Sequence, residues 1–179
     1  MRKKLKLNEL NRASIEDFRK QEKYPIVVVC DNIRSAMNVG AFFRTADALA
    51  VRKLILCGIS ACPPHKEINK TAIGATESVE WEYQKEVIEV IEKLKKEGYT
   101  ILVIEQTTDS IEIQNFELDV NEKYALIFGN EINGVTEEVV LKADLALEIP
   151  QFGTKHSFNV GVCGGSVVWE FIRKFLLTK

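Results

Sequence analysis

The stretch Leu147–Gly165, LEIPQFGTKHSFNVGVCGG, decides the fold class of this chain. A strand-like run, Leu145 to Ile149, is stopped by Pro150, which has no N–H for a ladder. A polar loop with Gly153, Lys155 and His156 follows. Ser157-Phe158-Asn159 then leads through a glycine-rich segment into an apolar helix. That helix is predicted within residues 157–177, with Val167, Val168, Phe171, Ile172 and Phe175 facing inward. Strand edge, loop and helix N-terminus in that order form a ligand site in an open α/β sheet.

Working outward, the same alternation recurs. Ile26–Cys30, Leu54–Ile59, Thr100–Glu105 and Tyr124–Phe128 are short apolar runs, as expected of strands covered on both faces. A helix is predicted from Asn38, because Val39, Phe42, Phe43, Ala46 and Leu49 keep helical spacing. Gln84–Glu97 is amphipathic, with Val87, Ile88, Ile91 and Leu94 inward and Gly98 just past its C-cap. Short helices are expected over Ile68–Ser78, carrying Gly74, and after Thr136, where Glu137 and Glu138 favour the positive end. A surface helix is expected over residues 8–23, ended by Pro25. Five strands alternating with helices predict an α/β fold, a mostly parallel sheet with helices on both faces.

The length, 179 residues, fits one domain with a short extension. The expected division is a basic helical extension over residues 1–24 and one domain over residues 25–179. No apolar run reaches membrane-spanning length, and the basic N-terminus is not followed by an apolar core, so neither a membrane span nor a signal peptide is expected. Cys30 and Cys57 lie inside apolar runs and read as buried thiols of a reducing cytoplasm. Cys62-Pro-Pro-His65 lacks a second half-site, so no metal is expected. Net charge is −2, yet residues 1–50 hold ten Lys/Arg against six Asp/Glu. A basic arm beside an acidic body suits phosphate binding, although from charge alone a solvated helix face is the simpler explanation.

Three polar groups fall where strands end and helices begin. Asn38 to Arg44 is the first: Asn38 can cap its helix and Gly40 allows close backbone approach. The two polar residues stand about 120° apart on the helix, so they do not share one narrow face. Phe128-Gly-Asn-Glu-Ile-Asn-Gly134 is the second, where Gly129 would let a ligand lie on the strand end and Glu131 is the acid. Ser157 and Asn159 belong to the third. Capping and turn formation explain each alone; together they converge on the sheet's carboxyl edge. No GxGxxG, GxxxxGK[ST] or GxSxG pattern is present, which argues against a dinucleotide site, a P-loop and a hydrolase nucleophile at Ser157.

These stretches resemble the three motifs of the SpoU/TrmH branch of the SPOUT RNA methyltransferases. NVGAFFRTADALAV (Asn38–Val51), LIFGNEINGV (Leu126–Val135) and LEIPQFGTKHSFNV (Leu147–Val160) stand in the family's order, and Lys70–Ala75 is similar to its small-residue helix. Phe158 replaces the usual Leu, and Gly161 and Cys163–Gly165 replace Ala or Ser. The resemblance implies transfer of a methyl group from S-adenosylmethionine to a ribose 2′-hydroxyl of RNA, tRNA more readily than rRNA. It implies a SPOUT α/β-knot with a C-terminal trefoil knot and a cytoplasmic homodimer sharing its catalytic pocket. It places Gln106, Thr107, Phe128, Gly129, Ile149, Pro150 and Phe158 around the cofactor. Asn38, Arg44, Glu131, Ser157 and Asn159 match the family's catalytic polar set. A free guanidinium is a poor base, so Arg44 is expected first to orient ribose and phosphate. The basic residues Arg2, Lys3, Lys4, Lys6 and Arg12 are expected to dock RNA phosphates. The alternative is an RNA-binding protein of the same fold without methyl transfer.

Overall fold

The computed structural model describes residues 2–6 and 9–178. Among the described residues seven strands form one sheet: β1 (Tyr24–Asp31), β2 (Val51–Cys57), β3 (Trp81–Gln84), β4 (Tyr99–Ile104), β5 (Ile111–Glu112), β6 (Lys123–Phe128) and β7 (Leu145–Glu148). Their order is β3-β2-β1-β6-β4-β7-β5, and every neighbouring pair is parallel. Two strands exceed the five expected. β3 is polar and alternating and sits at one edge; β5 is two residues long at the other. Neither has the apolar run that marks a strand buried on both faces. Gln84, expected to open a helix, instead ends β3.

The helices are α1 (Ile15–Lys20), α2 (Ala36–Ala48), α3 (Lys66–Ala72), α4 (Ala75–Ser78), α5 (Val87–Lys96), α6 (Glu137–Lys142) and α7 (Val160–Leu177). α1 is much shorter than the helix expected over residues 8–23, of which Asn8 lies outside the described residues. Ser14 caps it by accepting the Asp17 N–H, and none of its residues is buried, so no apolar face extends it. The helix expected over Ile68–Ser78 is two helices. Ile73 and Gly74 both adopt left-handed backbone (φ 50° and 85°) and break it. Helix α2 is capped by Ser35 rather than Asn38, which lies in its first turn.

Side chains alternate across the sheet. Ile26, Val28 and Cys30 face a core built with α2 and α7, through Phe42, Phe43, Val167, Val168 and Phe171. Val27, Val29 and Ile127 face the second core, with Val90, Ile91 and Leu94 of α5 and Val139 of α6. Phe42, Phe43, Phe128 and Phe171 are fully buried, each contributing about 1.5–3 kcal/mol by leaving water. Helix α7 packs on α2 through a glycine: a Cβ on Gly164 would lie 2.2 Å from Phe42 Cε1. This packing brings the start of α7 against the start of α2, beside the carboxyl ends of β1, β6, β4 and β7. Among the described residues no helix is long and apolar enough to cross a membrane.

Candidate active site

A cavity of about 460 Å³ opens where β4, β6 and β7 end. Apolar walls come from Ile104, Phe128, Leu147, Ile149 and Phe158. Its polar lining includes Glu105, Gln106, Glu131, Glu148, Ser157 and Asn159, and among the described residues no lysine or arginine lines it. Apolar faces for a planar base, backbone at the strand ends and an acidic lining form a donor and acceptor set that fits a cationic nucleoside such as S-adenosylmethionine.

The loop after β6 is held from several sides. Asn130 Oδ1 accepts the N–H groups of Ile132 and Asn133, and the backbones of Asn130 and Gly134 exchange two hydrogen bonds of 2.9 Å. Two acids at strand ends fasten its exit: Glu105 Oε2 accepts the Val135 N–H at 3.0 Å, and buried Asp31 Oδ2 accepts the Thr136 N–H at 2.7 Å. A Cβ on Gly129 would lie 2.1 Å from Val135 N. Gly129 is therefore required by the loop's own backbone folding over it, and not only by a ligand on the strand end.

Glu131 turns from this loop to the start of α2. Its Oε2 accepts the Arg34 N–H at 2.8 Å, and its Oε1 accepts the Ser35 N–H and the Asn38 amide, each at 2.9 Å. Partial burial opposes its ionisation, but the bonds from Arg34, Ser35 and Asn38 outweigh it and hold the carboxyl below its ordinary 4.5. The Asn159 amide donates to Asn38 Oδ1 at 3.1 Å, while Asn159 Oδ1 caps α7 by accepting the Gly161 and Val162 N–H groups. Glu131, Asn38 and Asn159 thus form one chain of hydrogen bonds linking all three polar stretches.

Of the residues expected around the cofactor, Gln106, Phe128, Gly129, Ile149 and Phe158 line the cavity. Gln106 also donates to the His156 carbonyl at 2.9 Å, tying the end of β4 to the loop before α7. Thr107 and Pro150 stand outside the lining; Thr107 is held in its own turn by Ser110 and Asp109. Ser157 lines the cavity, and its hydroxyl has no hydrogen-bond partner among the described residues. Arg44 is not brought to this cavity. It is exposed and lines a separate depression with Arg12, Asp47 and Gly74. Glu105 and Asp31 are not among the site residues expected from the sequence. The signal was an acid closing an otherwise apolar strand, where a carboxylate reaches loop N–H groups at the sheet's edge. Among the described residues no group of three or more metal-ligating side chains is clustered.

The tRNA (guanosine(18)-2′-O)-methyltransferase of Aquifex aeolicus is 31% identical over 165 residues, covering 89% of this chain and 74% of that one. The 23S rRNA (guanosine-2′-O-)-methyltransferase RlmB of Neisseria meningitidis is 28% identical over 168 residues, covering 93% of this chain. This chain spans 66% of the Neisseria protein's length and 10% of that of a longer mouse relative. The crystal structure of the A. aeolicus TrmH/SpoU tRNA modifying enzyme superposes with a TM-score of 0.80 at 26% identity, covering 92% of this chain and 83% of that one. The profile of the SpoU rRNA Methylase family matches residues 25–169, and the chain belongs to that family.

Proposed function

We propose that this chain is an S-adenosylmethionine-dependent methyltransferase acting on a ribose 2′-hydroxyl of tRNA or rRNA, with tRNA favoured, in the cytoplasm. The observation that carries the reading is the hydrogen-bonded chain Glu131–Asn38–Asn159 at the rim of an acidic, partly apolar cavity. Relatives that act on tRNA and on rRNA share this chain's span, and the absence of lysine and arginine from the cavity suits a cationic cofactor rather than RNA phosphate.

When bound, the cofactor supplies an electrophilic sulfonium methyl to the ribose oxygen. Ile104, Ile149 and Phe158 would cover its base, with the strand-end backbone of Phe128 and Gly129 on the polar edges. Gln106 and His156 close the loop over it and limit water. Glu131 is committed to three donors and held ionised, so it orients Asn38 and the start of α2 rather than shuttling a proton. Asn159 fixes the mouth of α7, and Ser157 presents a free hydroxyl there. Alignment of this kind contributes up to about 7–11 kcal/mol to such displacements.

Arg44 does not line its own chain's cavity but a separate depression, and α7 carries an exposed apolar stripe at seven-residue spacing, Val162, Trp169 and Leu176. Both features support a homodimer in which the partner's arginine serves this cavity, orienting ribose and phosphate by its planar fork. The extension over residues 1–24 docks RNA beside Arg44, which Arg12 joins in one depression. The insertion of β7 between β4 and β5, with α7 returning to α2, is compatible with a trefoil-knotted C-terminus.

The test is incubation of the purified chain with tritium-labelled S-adenosylmethionine and total RNA, followed by mapping of 2′-O-methyl positions. Cofactor binding without label in any RNA would favour a binding protein and sink the enzymatic reading.

A further inference from the structure

Glu105 stands where the walls of the cavity meet. Its backbone N–H donates to the Leu147 carbonyl of β7 at 3.1 Å. Its Oε1 accepts the Gln106 N–H and its Oε2 the Val135 N–H, each at 3.0 Å. A Cβ on Gly134 would lie 2.2 Å from Oε2, so a side chain there would displace the carboxylate. On α7, Cys163 lines the same cavity; burial first, and the Glu105 charge second, push its thiol up to about 11. The carboxylate's field therefore extends to α7.

Two other carboxylates line the cavity. Glu131 is committed to the start of α2. The Glu148 carboxylate has no hydrogen-bond or ion-pair partner among the described residues, which leaves it free to turn toward water. Glu105 is anchored on both oxygens between the ends of β4 and β6. A charge fixed in advance acts on a ligand without reorganisation at the moment of binding.

We propose that Glu105 reads the charge of the cofactor, its fixed carboxylate making the cavity prefer a sulfonium ligand to the matching neutral thioether. The inference rests on the reading of the cavity as an S-adenosylmethionine site. Methyl transfer breaks the S–CH₃ bond and leaves its electron pair on sulfur, while the ribose oxygen forms the new O–CH₃ bond and gives its proton to water. The sulfur loses its positive charge in that step. Glu105 thus holds the incoming cofactor more firmly than the spent thioether, and release of the latter is favoured.

The test is calorimetric titration of the full-length wild type, Glu105→Gln and Glu105→Asp with S-adenosylmethionine and with S-adenosylhomocysteine. The wild type prefers the sulfonium. Glu105→Gln lowers sulfonium affinity about tenfold more than thioether affinity, the effect of removing one nearby charge. Glu105→Asp keeps the charge but not the reach to both N–H groups, so both affinities fall while the preference persists. Equal losses for the two ligands in Glu105→Gln, or no preference in the wild type, overturn the proposal and leave Glu105 a structural anchor. A folded wild type that binds neither ligand fails the cofactor reading itself, and the proposal with it.

Discussion

The Asn38 amide donates to Glu131 Oε1 at 2.9 Å across 93 residues of sequence, and this bond joins the loop after β6 to helix α2. The same side chain accepts from Asn159, so it is the middle of the chain and not a helix cap. Asn38→Asp places a second carboxylate against Glu131 and removes the donor. The expected result is loss of methyl transfer with a stability loss of about 1–3 kcal/mol in urea unfolding. Activity near that of the wild type would show that the linkage is dispensable.

Glu131 makes a prediction about acid. Its carboxyl is held below 4.5 in the folded chain, so its contribution is fully present above that value and is lost as pH falls through the lower folded value. The melting temperature of the wild type should therefore drop more steeply below about pH 4.5 than that of Glu131→Gln. Subtracting the two curves removes the shared contribution of the other carboxylates. Parallel curves would mean that the three bonds to Glu131 add no acid-sensitive stability.

Arg44→Ala should abolish methyl transfer and leave cofactor affinity nearly intact, because the guanidinium does not line its own chain's cavity. If a partner supplies the arginine, mixing Arg44→Ala with Asn159→Ala chains and allowing exchange restores part of the activity. Each mixed dimer then has one cavity served by an intact arginine. No recovery in dimers shown to have exchanged would place Arg44 in service of its own chain.

The parallel sheet was legible because its central strands are continuous apolar runs, as at Val27–Cys30 and Ile101–Val103, with helical spacing between them. β3 escaped because Trp81-Glu-Tyr-Gln alternates like a surface segment, and β5 because two residues hold no period. The polar set at the sheet's edge was legible as residue types at strand ends. Its wiring was not: Glu131 meets Asn38, and Asn159 meets Asn38, only through tertiary folding. Ser35 displaced Asn38 as the cap because it stands three residues earlier and freed the amide for the longer-range bonds. Arg44's direction depends on surfaces that a single chain's periodicity does not contain.

Gly164→Ala tests the contact that seats α7 on α2. An added Cβ would stand 2.2 Å from Phe42 Cε1, and Phe42 is 1% exposed, with its ring centroid 5.0 Å from that of Phe128. The ring cannot move without disturbing the floor of the cavity. Alanine gains about 1 kcal/mol of helix propensity over glycine, against about 1–3 kcal/mol for overpacking. The expected balance is a lower melting temperature together with weaker cofactor binding. A stabilised protein would show that the two helices have slack at this point.

The N-terminal arm gives the last test. Arg2, Lys3, Lys4 and Lys6 are exposed, and Lys3 is already paired with Glu9 at 3.2 Å. The other three have no acidic partner among the described residues and can displace counterions from RNA. Each phosphate contact contributes about 0.7–0.9 to the slope of log affinity against log salt, so deleting residues 1–7 should flatten that slope by about two to three. Cofactor affinity should not change, because none of the arm's described residues lines the cavity. An unchanged salt slope would assign the arm to solvent, and RNA docking would then rest on Arg12 and Arg44 in their shared depression.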